Sequence, residues 1–107
     1  PDTLAEVEVT APVPALGGRI LHGTTDRLRI EADRVLAVDY KSNAVVPATQ
    51  AEVPDGILRQ MGAYAAMLTE IYPGRRIDTA ILWTRTGRLM PLDPDIVREA
   101  LAGTTIP

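Results

Sequence analysis

Hydrophobic and polar positions along the chain change period several times, and each change marks an element. From Leu4 to Thr10 they alternate, with Ala5, Val7 and Val9 on one face and Leu4, Glu6 and Glu8 on the other, the period-two signature of a half-buried strand. Pro12, Pro14, Gly17 and Gly18 predict its end in a turn. Arg19 to Gly23 reads as a second strand, with His22-Gly23-Thr24 as a bulge or bend before Asp26. Thr25 to Ile30 and Val35 to Lys41 follow as strands around the polar turn Glu31 to Arg34. After a loop from Ser42 to Pro54 the period becomes helical. Ile57, Met61, Tyr64, Leu68 and Ile71 recur at spacings of three and four behind Asp55 as N-cap, and Tyr72-Pro73-Gly74 stops the run. Ile77 to Thr84 is apolar on both faces, as in a strand inside a sheet, so strand, helix and strand predict a parallel crossover. Leu89 to Leu92 carries Pro91, which restricts it to an edge; a last helix from about Pro94 to Ala102 is capped by Asp93 and ended by Gly103. The fold class is mixed α/β (α+β), a central mixed β-sheet with flanking helices.

Composition narrows the function without naming it. With 107 residues, 46% of them hydrophobic, the chain holds one domain and one core over 1–107. The absence of cysteine excludes disulfides, thiolate metal centres and cysteine nucleophiles, and it fits a cytoplasmic protein. No apolar run reaches the ~18 residues of a membrane span. The net charge of -3 argues against gripping nucleic acid by bulk charge. A start at Pro1, without an initiator Met, and an end in Gly-Thr-Thr-Ile-Pro suggest a fragment of a longer protein.

Against this background, charges inside two apolar strands stand out. If the hairpin turns symmetrically about Ala32 and Asp33, cross-strand partners have numbers summing to 65. Asp26 then opposes Asp39 and Thr24 opposes Lys41, on the face that also carries Leu28, Ile30, Val35 and Ala37. Two carboxylates in directly opposed positions repel unless a cation or a proton lies between them, and a hard divalent ion is the natural occupant. An odd-length turn would throw the two aspartates to opposite faces. Ordinary surface ion pairs, Asp26 with Arg27 or Arg29 and Asp39 with Lys41, are the plain alternative.

These residues carry a family resemblance. The stretches GTTDRL, LAVDYKSN and LRQMGAY resemble the Asp motif, the Asp-x-Lys motif and the Gln-x-x-x-Tyr motif of the RecB-type PD-(D/E)XK nucleases. More narrowly, QMGAYAAMLTEIYPGRRIDTAILWT and LMPL are similar to the C-terminal nuclease domain of AddA-type subunits, helicase-nucleases of bacterial double-strand break repair. The resemblance implies a restriction-endonuclease-like core and a metal-dependent DNA exonuclease using Mg2+, or Mn2+. It implies catalytic Asp26, Asp39, Lys41 and Glu6, with metal held by Asp26, Asp39 and the carbonyl of Tyr40. Gln60 and Tyr64, four apart on one helix face, would contact substrate or support the metal's ligands. ATP would serve only motor domains outside this chain; DNA and an AddB-like subunit would be the partners.

Two departures qualify that implication. The family's upstream helix with its histidine ligand precedes the first strand and is not in this sequence, so the 107-residue piece alone is expected to be weak or inactive; His22 does not match that ligand, and a surface role is expected for it. Thr25 stands where the family usually has an aliphatic residue. A catalytically degenerate module of the same fold, binding DNA or scaffolding a partner, is the alternative function. Trp83 is expected in the core, Arg75 and Arg76 in solvent, Gly17-Gly18 in a turn, and Tyr64 either in the core or at the site.

Overall fold

The computed structural model describes residues 2–103. Five strands form one sheet in the order β1-β2-β3-β4-β5: β1 Asp2–Val13, β2 Arg19–Ile30, β3 Arg34–Lys41, β4 Arg76–Trp83 and β5 Arg88–Leu92. Helix α1 (Asp55–Ile71) connects β3 to β4, and α2 (Pro94–Ala102) follows β5. The β3–β4 pair is parallel and every other pair antiparallel, so the crossover and the edge position of β5 follow the sequence pattern. Helix α1 lies across the sheet in contact with β1 through β4, and α2 packs on α1. The core between them holds Val35, Met61, Leu68, Ile81 and Trp83, all fully buried. Trp83 is therefore a core residue.

The α1–α2 contact depends on Gly62. A Cβ there would lie 2.2 Å from the Val97 carbonyl oxygen, so the helices approach to a distance that only glycine permits. Asp93 caps α2 as expected, accepting from the Asp95 N–H at 2.8 Å. Asp55 does not cap α1. It is the first helical residue, Pro54 holds the cap position, and Pro54 makes no side-chain cap hydrogen bond.

The first hairpin departs further from expectation. β1 runs on through Pro12, which an edge strand tolerates because the missing N–H can face away from its one partner. β2 is continuous from Arg19, with no break at Gly23. The inward side of β2 nevertheless changes phase. Leu21, Gly23 and Thr25 are inward up to Thr25, and Asp26, Leu28 and Ile30 after it, so Thr25 and Asp26 both face in. β1 shifts at the same level: Ala5 is exposed while Val7, Val9, Ala11 and Val13 turn in. Glu6, at the junction, has φ of 51°, a left-handed conformation that costs a non-glycine residue ~1–3 kcal/mol. The bend expected near Gly23 is a face switch beside Asp26.

Candidate active site

The β2–β3 hairpin sets the site. Glu31 N–H donates to the Arg34 carbonyl at 2.8 Å, which closes a two-residue loop of Ala32 and Asp33. The register Ile30↔Val35, Leu28↔Ala37 and Arg27↔Val38 follows, each pair summing to 65 as the symmetric turn requires. The ladder stops there, one residue short of Asp26 and Asp39. Instead of a rung, the Tyr40 N–H donates to Asp26 Oδ2 at 2.8 Å. Asp26 and Asp39 still come together on the inward side, at the open end of the hairpin.

Asp39 is 3% exposed, and its carboxylate lies 3.1 Å from Lys41 Nζ. Burial pushes its pKa above the ordinary 3.8; the Lys41 amine opposes that rise and the Asp26 carboxylate adds to it. Lys41 Nζ also donates to Gln60 Oε1 at 2.8 Å. From Gln60 the hydrogen bonds continue inward: Nε2 to the Tyr64 hydroxyl at 3.1 Å, and that hydroxyl to the Thr24 carbonyl at 2.8 Å. Helix spacing of four puts Gln60 over Tyr64, and the pair ties α1 to both β2 and β3. Burial first, and the Asp39 charge second, push the Tyr64 pKa up, so its phenol stays a donor. Tyr64 is thus both core, at 4% exposed, and part of the site.

Among the residues expected at the site, Asp26, Asp39, Lys41, Gln60 and Tyr64 converge. Tyr40 supplies its N–H to Asp26; its side chain is exposed and accepts from Arg27 Nε at 3.3 Å. The Lys41 carbonyl accepts from Thr84 N–H on the β4 side, so by strand alternation the Tyr40 carbonyl is on the β2 side, with Asp26. Glu6 stands level with Asp26, between the pairs Ala5↔Arg27 and Val7↔Thr25, but its side chain is exposed. Among the described residues no group of three or more His, Cys, Asp or Glu gathers to hold an ion, so Glu6 does not join the two aspartates. His22 is exposed and pairs with Thr10. Neither Arg27 nor Arg29 takes Asp26: Arg27 bonds Tyr40, and Arg29 lies 3.7 Å from Glu31. Arg76 is largely exposed, as expected, while it bonds Asp78; Arg75 is half-buried, lying over the Tyr72 ring and donating to the Glu31 carbonyl.

Gly23 has a function that the sequence reading treated only as a bend. A Cβ there would lie 2.5 Å from the Tyr64 ring, so the glycine makes the seat for the tyrosine. The available signal was a glycine within a strand, which can mark a close approach as well as a bulge. Thr25, singled out in the sequence only as standing where the family usually has an aliphatic residue, is fully buried, and its hydroxyl donates to two backbone carbonyls.

The donors suit a hard cation. The Asp26 and Asp39 carboxylates lie side by side; one oxygen of Asp26 accepts from the Tyr40 N–H, one of Asp39 pairs with the Lys41 amine, and the two carboxylates interact with each other. Mg2+ binds through one or two carboxylates and retains several waters, so this set fits it without a third acid.

The model of the PD-(D/E)XK nuclease superfamily matches residues 2–103, and the chain belongs to that superfamily. No curated protein matches it.

Proposed function

We propose that this member of the nuclease superfamily is a metal-dependent phosphodiester hydrolase acting on DNA, with the cluster at the open end of the β2–β3 hairpin as its active site. The observation that carries the reading is the charge imbalance there: the inward carboxylates of Asp26 and Asp39 lie together, and the one lysine beside them pairs with Asp39, at a place where the strands have parted. Asp26, Asp39 and the Tyr40 carbonyl would hold Mg2+, or Mn2+, which when bound polarises a phosphoryl oxygen and lowers the pKa of attacking water. Lys41, fixed between Asp39 and Gln60, places a cation where phosphate charge develops. Gln60 orients that amine, and Tyr64 anchors Gln60 to β2. Glu6, exposed at the rim, is available to substrate or to water.

The finer reading rests on sequence resemblance alone: an exonuclease domain of an AddA-type helicase-nuclease, working beside an AddB-like subunit in double-strand break repair. In such a parent protein, Asp39→Ala and Lys41→Ala would each abolish DNA cleavage and leave ATP hydrolysis and unwinding intact. Joint loss of cleavage and unwinding would assign the cluster a structural role, and full cleavage by either variant would remove it from the chemistry.

A further inference from the structure

We infer that Thr25 is a positioning residue for the acid pair: its hydroxyl occupies the place of the next β2–β3 rung and so delivers the Tyr40 N–H to the Asp26 carboxylate. Hydrogen-bonded pairs in this hairpin fall on Glu31/Arg34, Arg29/Leu36 and Arg27/Val38, because the even-numbered carbonyls of β3 face β2, as Glu31 N–H to Arg34 O shows. The next such pair would be Thr25 with Tyr40, and in a regular ladder the Tyr40 N–H would go to the Thr25 carbonyl. That rung is absent. The Thr25 Oγ1 instead reaches both Arg27 O and Val38 O, each at 3.2 Å, wedging its side chain between the strands. Its burial is complete, so this single donor proton stays on those carbonyls.

The consequence falls on Asp26. With the rung removed, the Tyr40 N–H bonds Asp26 Oδ2 at 2.8 Å, and the phase shift that turns Thr25 inward turns Asp26 inward as well. A valine of similar shape offers no donor, so the strands can zip one rung further and the Asp26 carboxylate loses its N–H anchor. A serine retains the hydroxyl and the wedge. The inference rests on the acid pair being a divalent-cation site only for its effect on metal; the change of hydrogen-bond partner stands by itself.

The test compares wild type, Thr25→Ser, Thr25→Val and Asp39→Asn by through-hydrogen-bond NMR coupling at the Tyr40 nitrogen and by Mg2+ calorimetry. The expected coupling is to the Asp26 carboxylate carbon in wild type and Thr25→Ser, and to the residue-25 carbonyl carbon, or to neither, in Thr25→Val. Thr25→Val should weaken Mg2+ binding ~10–100-fold, the usual cost of losing a partner that orients a ligand, with Thr25→Ser near wild type. Should Thr25→Val not fold, Thr25→Ser against Thr25→Ala gives the same contrast. An Asp26 coupling unchanged in Thr25→Val overturns the inference, whatever the metal does. Unchanged coupling together with lost Mg2+ binding in Asp39→Asn would overturn Thr25 positioning while leaving the acid pair intact. Mg2+ binding unaffected in Asp39→Asn would instead overturn the metal site proposed above.

Discussion

The sheet buries two aspartates beside cations, and they are built on opposite principles. Asp78, on β4, is 7% exposed and lies between two guanidinium groups, with Arg34 Nε at 2.7 Å and Arg76 Nε at 3.0 Å. Positive charge exceeds negative there, and the carboxylate is saturated with donors. Asp39, on β3, is buried as deeply, pairs with a single lysine and has the Asp26 carboxylate beside it, so negative charge exceeds positive. The first arrangement is complete in itself and fastens the starts of β3 and β4, where Arg34 pairs with Arg76. The second leaves a negative charge that a bound cation or a proton can balance. Burial of an acid is thus uninformative about function until its partners are counted.

Substitution should separate the two sites most strongly. Asp39→Asn is expected to eliminate Mg2+-dependent DNA cleavage, whereas Asp78→Asn leaves cleavage per folded molecule unchanged. The Asp78 change should instead lower stability, by ~1–3 kcal/mol, because it unpairs two largely exposed arginines and so falls below the cost of breaking a fully buried pair. Denaturant melts alongside cleavage assays check both halves, and equal loss of activity in the two variants would erase the distinction.

A smaller effect comes from the seat of Tyr64. Gly23→Ala forces a methyl group to within 2.5 Å of the ring, and overpacking of this kind costs ~1–3 kcal/mol. Displacing the ring also displaces Gln60 from Lys41, so cleavage should fall more than in Asp78→Asn at matched stability.

The smallest effect is on pH. Asp39 has a folded pKa above its unfolded 3.8, so the folded state binds the extra proton between those values. Metal-free stability contributed by this group is therefore present below 3.8 and declines as pH rises through the folded pKa. Asp39→Asn removes the titration and should melt higher than wild type at neutral pH without metal, the two converging in acid. Mg2+, which needs the carboxylate, should bind more tightly across the same rising window. A variant less stable than wild type at neutral pH would contradict the sign.

Most of the fold was legible because periodicity reports burial: the hairpin register, the crossover, the edge strand and α2 all follow from which residues are apolar. The symmetric register also brought Asp26 and Asp39 to one side, and helix spacing stacked Gln60 on Tyr64. What the pattern could not convey was three-dimensional exchange of partners. Strict alternation predicts a Thr25–Tyr40 rung with Asp26 opposite Asp39, but the Thr25 hydroxyl bonds the Arg27 and Val38 carbonyls and the Tyr40 N–H bonds Asp26, and composition carries no trace of that choice. The Arg34–Asp78–Arg76 cluster was missed for a related reason. It joins residues 44 apart across a parallel pair, and Arg76 by itself looks like a loop arginine. Glu6 was placed by likeness of sequence; its left-handed backbone leaves it exposed.

The most direct test of the central claim is a Mg2+ titration followed residue by residue in amide NMR spectra, which registers weak binding without requiring turnover. Shifts confined to Asp26, Asp39, Tyr40 and Lys41, spreading to Gln60 and Tyr64, and abolished by Asp39→Asn, are the expected result. Equal shifts around Asp78, or a diffuse response over the exposed carboxylates that persists in Asp39→Asn, would contradict it.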